Sequence, residues 1–221
     1  MKTSMDRELN ELGARLIRMG ALCETAIAGA ASCLQNREKE NVSAVFGTDA
    51  AIDHMHHELE DMCLRLILTR QPVAGDLRAV TAAMQIAGDM ERIGDQAADV
   101  TEILRFWDSG VFAGGTHIDK KAQAASKMVT DAIDSFVRRD DELAQSVIAA
   151  DDRVDELFVR VWQELIELIA RQDQNGVACM DLLMIAKYFE RIADHAENIA
   201  RWVLYRLHGT LPERDDVRGG R

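Results

Sequence analysis

Aromatic residues make up only 5% of this 221-residue chain, and there are 2 prolines. Together with long Ala-, Leu-, Ile- and Met-rich runs, that scarcity excludes a β-sandwich or barrel. Cysteine is sparse too: Cys23, Cys33, Cys63 and Cys179 stand singly, with no CxxC pair. A cysteine zinc site is therefore not expected, and free buried thiols in a reducing compartment are. Basic charge is short, with 26 Lys and Arg against 38 Asp and Glu, a net charge of −12. Phosphate backbones bind to basic surfaces, so nucleic acid is excluded as the main partner; cations and basic protein surfaces are favoured. The opening MKTSMDRELNELG has no apolar core. Apolar runs elsewhere meet a charge within about ten residues, so neither a signal peptide nor a membrane span is expected. No P-loop, no GxGxxG after a strand, no GxSxG elbow and no inward-facing ExxH pair occurs, which removes the commonest enzyme readings.

What is present is helix. Hydrophobic residues reach 48%, enough for a core, and breaks are few. Pro72 with Gly75, and the glycine-rich segment from Ser109 to Thr116, punctuate the chain; a polar tail follows Gly209. The pattern between them predicts six helices, over about 6–36, 38–70, 75–107, 117–138, 140–172 and 176–208. In the third, Ala79, Ala83, Ile86, Met90, Ile93, Ala97, Val100, Leu104 and Trp107 recur at spacings of four and three, the seam of a helical bundle.

The sixth helix repeats this seam 99 residues later, and the wording repeats as well: GDMERIGDQAADV against KYFERIADHAENI. DAAIDHMHHELE matches DDRVDELFVRVW at a shift of 102, as NREKENVSAV matches RRDDELAQSV. An internal duplication follows. It predicts an all-α chain of two tandem three-helix bundles, over residues 1–110 and 111–210, with a tail at 211–221.

An acidic residue four places before an aspartate occurs five times: Asp49-Asp53, Glu91-Asp95, Asp95-Asp99, Asp151-Asp155 and Glu190-Asp194. Four of these fall on equivalent positions of the two repeats; Asn198 breaks the echo of Asp99. Residues i and i+4 share a helical face about 5–6 Å apart, where like charges repel. Two neighbouring helices carrying such pairs bring four carboxylates together, a ligand set for a divalent or trivalent cation. At about 100° per residue, Glu91 lies roughly 130° and Asp95 roughly 170° from the centre of the seam. Asp53 faces similarly outward, so a metal is expected on the bundle surface. The plainer alternative is a solvated acidic face. His57, one turn beyond Asp53, is read as a solvated histidine, since Val159 replaces it in the second repeat. His195 is read as a surface residue, and Met55, Met62, Met84 and Met90 as core packing. Arg92 and Arg191 either balance local charge or meet an anionic partner.

ERIGD and ERIAD on the third helix of each repeat, QPVAGDLRAV ahead of the first, the paired (E/D)xxxD motifs and Met19-Gly20 closely resemble the PhoU family over essentially the full length. The resemblance implies a cytoplasmic negative regulator of phosphate uptake and of the phosphate-starvation response, not an enzyme. It implies two similar three-helix bundles, a homodimer, and metal clusters held by the carboxylates. The candidate ligands it carries over are Asp49, Asp53, Glu91 and Asp95 in one half and Asp151, Asp155, Glu190 and Asp194 in the other, with Asp99 as an addition. The metal would be iron or zinc, with manganese or magnesium as alternatives. The implied partners are the ATPase subunit of the phosphate ABC transporter and the phosphate-sensing histidine kinase, so that membrane contact is indirect. Two competing readings are a carboxylate-bridged metal enzyme, such as a small oxidase or phosphohydrolase, and a metal-free scaffold.

Overall fold

A computed structural model describes residues 4–36, 42–106, 116–171 and 176–212. Six helices account for nearly all of them: α1 (Ser4–Asn36), α2 (Val42–Arg70), α3 (Ala74–Phe106), α4 (Ile118–Arg138), α5 (Asp141–Ala170) and α6 (Gly176–His208). The predicted helix boundaries agree closely wherever they can be compared. Residues 38–41, Trp107, most of the glycine-rich segment, residue 172 and the end of the tail lie outside the described residues.

Local chemistry explains the two described turns. Pro72 stops α2, because it has no backbone N–H to donate and restricts the residue before it. Gln71 and Ala74, on either side, take left-handed backbone with φ of 47° each. Between α4 and α5, Arg139 is left-handed at φ 55°, and the Asp140 carboxylate accepts from the Leu143 N–H at 3.0 Å. That bond caps α5, and Asp141 and Glu142 in the first turn suit the positive end of its dipole.

Packing follows the duplication. α1 lies on α2 and α3, and α4 on α5 and α6; the halves then join through α3 against α6 and α1 against α4. One continuous apolar core runs through both, from Leu16, Cys23, Ile27, Ile52 and Ile86 to Val129, Leu182, Phe189 and Ile199. The methionines behave as core: Met90 is buried, and Met55, Met62 and Met84 pack against the core edge. All four cysteines are free and buried. Close approach at the α1–α4 crossing depends on Gly20, where a Cβ would sit 2.8 Å from Ile133 Cδ1. That contact accounts for the glycine of Met19-Gly20.

One expectation needs correction. By length and composition α1 is apolar enough to cross a membrane. Its apolar side, including Leu12, Leu16, Met19, Cys23 and Ile27, is instead fully committed to the core.

Candidate metal centre

α2 and α3 lie side by side, and their (E/D)xxxD pairs meet where they face each other. Ligand oxygens of Asp49, Asp53 and Asp95 all lie within 4.8 Å of one another. Gly94 sets this spacing. A Cβ there would stand 3.0 Å from Asp49 Oδ1 and 3.0 Å from Ile52 Cδ1, so the glycine lets α3 approach the aspartate. Glu91 and Asp99 flank the trio one turn to either side of Asp95 and, like it, are half-buried.

The group is electrostatically strained. Burial, then the charges of Asp53, Asp95, Glu91 and Asp99, push the Asp49 carboxyl up from its ordinary 3.8 to about 6. Glu91 is raised by burial and by Asp95, against the pull of Arg92 and His56. Asp99 is raised by burial, Asp95 and Glu102, against Arg191. Asp49 Oδ1 is buried and has no hydrogen-bond partner. A buried carboxylate oxygen left without a donor among other acids is what a hard cation would satisfy, so these residues fit an oxygen-liganded metal. The Arg92 guanidinium, 58% exposed, reaches over the outer edge to Glu91 and Asp95 at 3.3 Å each. Of the two readings of Arg92, the geometry therefore favours balancing local charge. His57 is exposed, and its Nδ1 lies 2.8 Å from the Asp53 carbonyl of its own helix. It thus stands outside the cluster.

The second half places its acids differently. Asp151 is buried, Asp155 is exposed, and Glu190 and Asp194 are half-buried. The trio that comes within 4.8 Å is Asp151, Asp194 and Glu197, so Glu197 enters and Asp155 leaves. The expectation that all eight acids look outward therefore needs correction at Asp151. A helical wheel allows each helix one buried face, whereas α5 is packed against both α4 and α6. Sequence reasoning missed Glu197 because no motif spacing includes it.

It also missed Lys121, which is fully buried on α4. Its Nζ donates to the Val154 carbonyl at 3.0 Å and to Glu190 Oε2 at 3.2 Å, and lies 4.8 Å from the centre of the Phe158 ring. Burial pulls its ammonium down to about 8, against the holding charges of Glu190 and Asp155. The available signal was a lysine in a run of apolar seam positions. His195 is a further correction: at 19% exposure it is not a surface residue. Its Nδ1 meets Asp89 Oδ1 at 2.9 Å, bridging α6 to α3 at the junction of the halves.

Six helices in two copied three-helix sets, with carboxylate pairs on the second and third helix of each, define a duplicated helical-bundle protein with an acidic, cation-ready face. The PhoU domain model matches residues 16–104 and again 118–203. The chain belongs to the PhoU family.

Relatives agree along the whole length. The chain is 32% identical over 215 residues to the phosphate-specific transport system accessory protein PhoU homolog of Xylella fastidiosa, covering 96% of this chain and 89% of the other. With the homolog of Aquifex aeolicus it shares 32% over 213 residues, covering 96% of each. Among solved structures, PhoU from Pseudomonas aeruginosa superposes with a TM-score of 0.88 at 29% identity, covering 94% of this chain and 100% of that one. The phosphate transport system regulatory protein PhoU from Streptococcus pneumoniae gives 0.87 at 26%, covering 95% and 100%. These likenesses bear out the resemblance, the all-helical class and the tandem bundles.

Proposed function

We propose that this chain is a cytoplasmic negative regulator of phosphate uptake and of the phosphate-starvation response. It acts as an adaptor between the ATPase subunit of the phosphate transporter and the phosphate-sensing histidine kinase, and not as an enzyme. The observation that carries the reading is the full-length likeness to accessory proteins of phosphate-specific transport. A surface for protein partners supports it. Val159, Trp162, Ile166 and Ile169 of α5, and Val177, Met180 and Met184 of α6, form exposed apolar stripes at helical spacing. Stripes of this kind serve a homodimer or a docked partner.

The acids of α2 and α3 give the adaptor its second property. Asp49, Asp53, Glu91 and Asp95, with Asp99 at the edge, would hold iron or zinc, or manganese or magnesium, on oxygen ligands. When bound, the ion supplies positive charge to a face otherwise too negative to dock. The residues themselves tie α2 to α3 and set the shape of that face. An adaptor couples two partners only through differential binding to their states.

Two measurements test this. Deleting the gene should switch on a phosphate-starvation reporter in phosphate-replete cells, and the intact chain should restore repression. Purified protein should contain iron, zinc, manganese or magnesium, and Glu91→Ala with Asp95→Ala should lower both metal content and partner capture. Unchanged metal and capture in that variant would rule out the metal role, and a silent reporter would rule out the regulatory one.

A further inference from the structure

α1 and α4 are copies in register. With a shift of 102, the buried residues Leu16, Cys23, Ala26, Ile27, Ala30 and Leu34 correspond to Ile118, Ala125, Met128, Val129, Ala132 and Phe136, all buried. One buried pair changes charge: Met19 in the first half is Lys121 in the second. Two further changes accompany it around Glu190, the counterpart of Glu91. Gly88 becomes Lys187, and His56 becomes Phe158.

These three substitutions act together. The Lys121 ammonium takes Glu190 Oε2 at 3.2 Å from the core side, and Lys187 takes Oε1 at 2.5 Å. Both ammoniums stand over the Phe158 ring, at 4.8 and 5.4 Å from its centre, where a cation is attracted to the ring face. Glu190 is left 13% exposed, with each oxygen engaged by an ammonium. Among the described residues, Glu91 pairs only with Arg92, a largely exposed side chain that approaches from solvent and can swing away. Glu91 thus has one solvent-side partner, while Glu190 is held by two lysines, one of them fully buried.

Resting on the metal reading of the first half, we propose that Lys121, seconded by Lys187, is the built-in cation of Glu190, so that Glu190 is closed to metal while its counterpart Glu91 stays open to it. A buried ammonium is as immobile as a bound ion and needs no supply, which leaves Glu190 permanently paired and Glu91 dependent on the cation available. Lysine suits the role because it is a compact point charge on a flexible stem.

Metal content after loading with Mn²⁺ and dialysis, read by elemental analysis, tests this. In the otherwise native chain, Glu190→Gln should leave bound manganese unchanged. Asp53→Asn with Asp95→Asn should lower it. In that background, Lys121→Met with Lys187→Ala should raise manganese binding by one ion, and Glu190→Gln should cancel the rise. Lys121→Met restores the residue at the matching position of the first half, so the fold has a precedent for it. A melting curve with and without Mn²⁺ gives a second readout, since in that background the ion should raise the lysine-free chain more than the chain with both lysines. Loss of manganese on Glu190→Gln alone would overturn the proposal. So would no gain in manganese from the folded lysine-free chain. Failure of the first-half reading is seen separately, as manganese content in the native chain that does not depend on Asp53 and Asp95.

Discussion

Asp49→Asn in the metal-free protein probes the strain of the first cluster most sharply. The substitution keeps the shape of the side chain and removes its charge. In the folded chain the Asp49 carboxyl titrates at about 6, against an ordinary 3.8. Between those values the folded state holds a proton that the unfolded state has released. Stability therefore falls as pH rises from about 4 to about 6, and the whole penalty is present at pH 7. A rise of this size corresponds to about 3 kcal/mol for a group shut off from solvent. Asp49 is only half-buried, and screening by water cuts the figure to about 1–2 kcal/mol. At roughly 2–4 °C per kcal/mol for a chain of this size, Asp49→Asn should raise the melting temperature by about 2–8 °C at pH 7 in chelator. At pH 4 the gain should nearly vanish, because the native carboxyl is then already neutral. Scanning calorimetry at the two pH values reads this directly. A variant less stable than the native chain at pH 7, or a gain of equal size at both pH values, would refute the assignment of strain to this carboxylate. With saturating metal the sign should reverse: an ion at 100 times its Kd adds about 2.7 kcal/mol to a chain that can bind it, and the amide variant loses most of that.

Other positions carry independent expectations. Gly94→Ala places a Cβ 3.0 Å from both Asp49 Oδ1 and Ile52 Cδ1, and should cost about 1–2 kcal/mol in urea melts while loosening metal binding. Ala74 sits at φ 47°, a conformation that glycine adopts freely, so Ala74→Gly should stabilise the α2–α3 turn by about 0.5–1 kcal/mol. Asp89→Asn and His195→Gln each break the bridge between α3 and α6. A double-mutant cycle on denaturant unfolding should show coupling of about 0.5–1.5 kcal/mol.

The helices were legible because each is punctuated by residues with known backbone consequences, and because their apolar seams repeat 99 and 102 residues apart. The same repetition pointed to the acid pairs. Their surroundings were less legible. A wheel drawn for α3 alone cannot register that α2 and α6 pack along its flanks, so acids placed far from the apolar seam are half-covered rather than exposed. His195 escaped for the same reason: its partner Asp89 lies on another helix, 106 residues away. Lys121 was hidden differently. Helical patterning treats lysine as an outward residue, and only alignment of α4 on α1 shows that it occupies the core position of Met19. Glu197 belongs to neither copy of the (E/D)xxxD motif, since the residue at the matching place of the first half is Ala98.

Anomalous X-ray scattering from crystals of the chain loaded with Mn²⁺ tests most directly whether its two copied halves handle cations differently. The density should show manganese among Asp49, Asp53 and Asp95 and none on Glu190, where Lys121 and Lys187 remain in place. Manganese on Glu190, or an empty first cluster in a fully loaded crystal, would contradict the account.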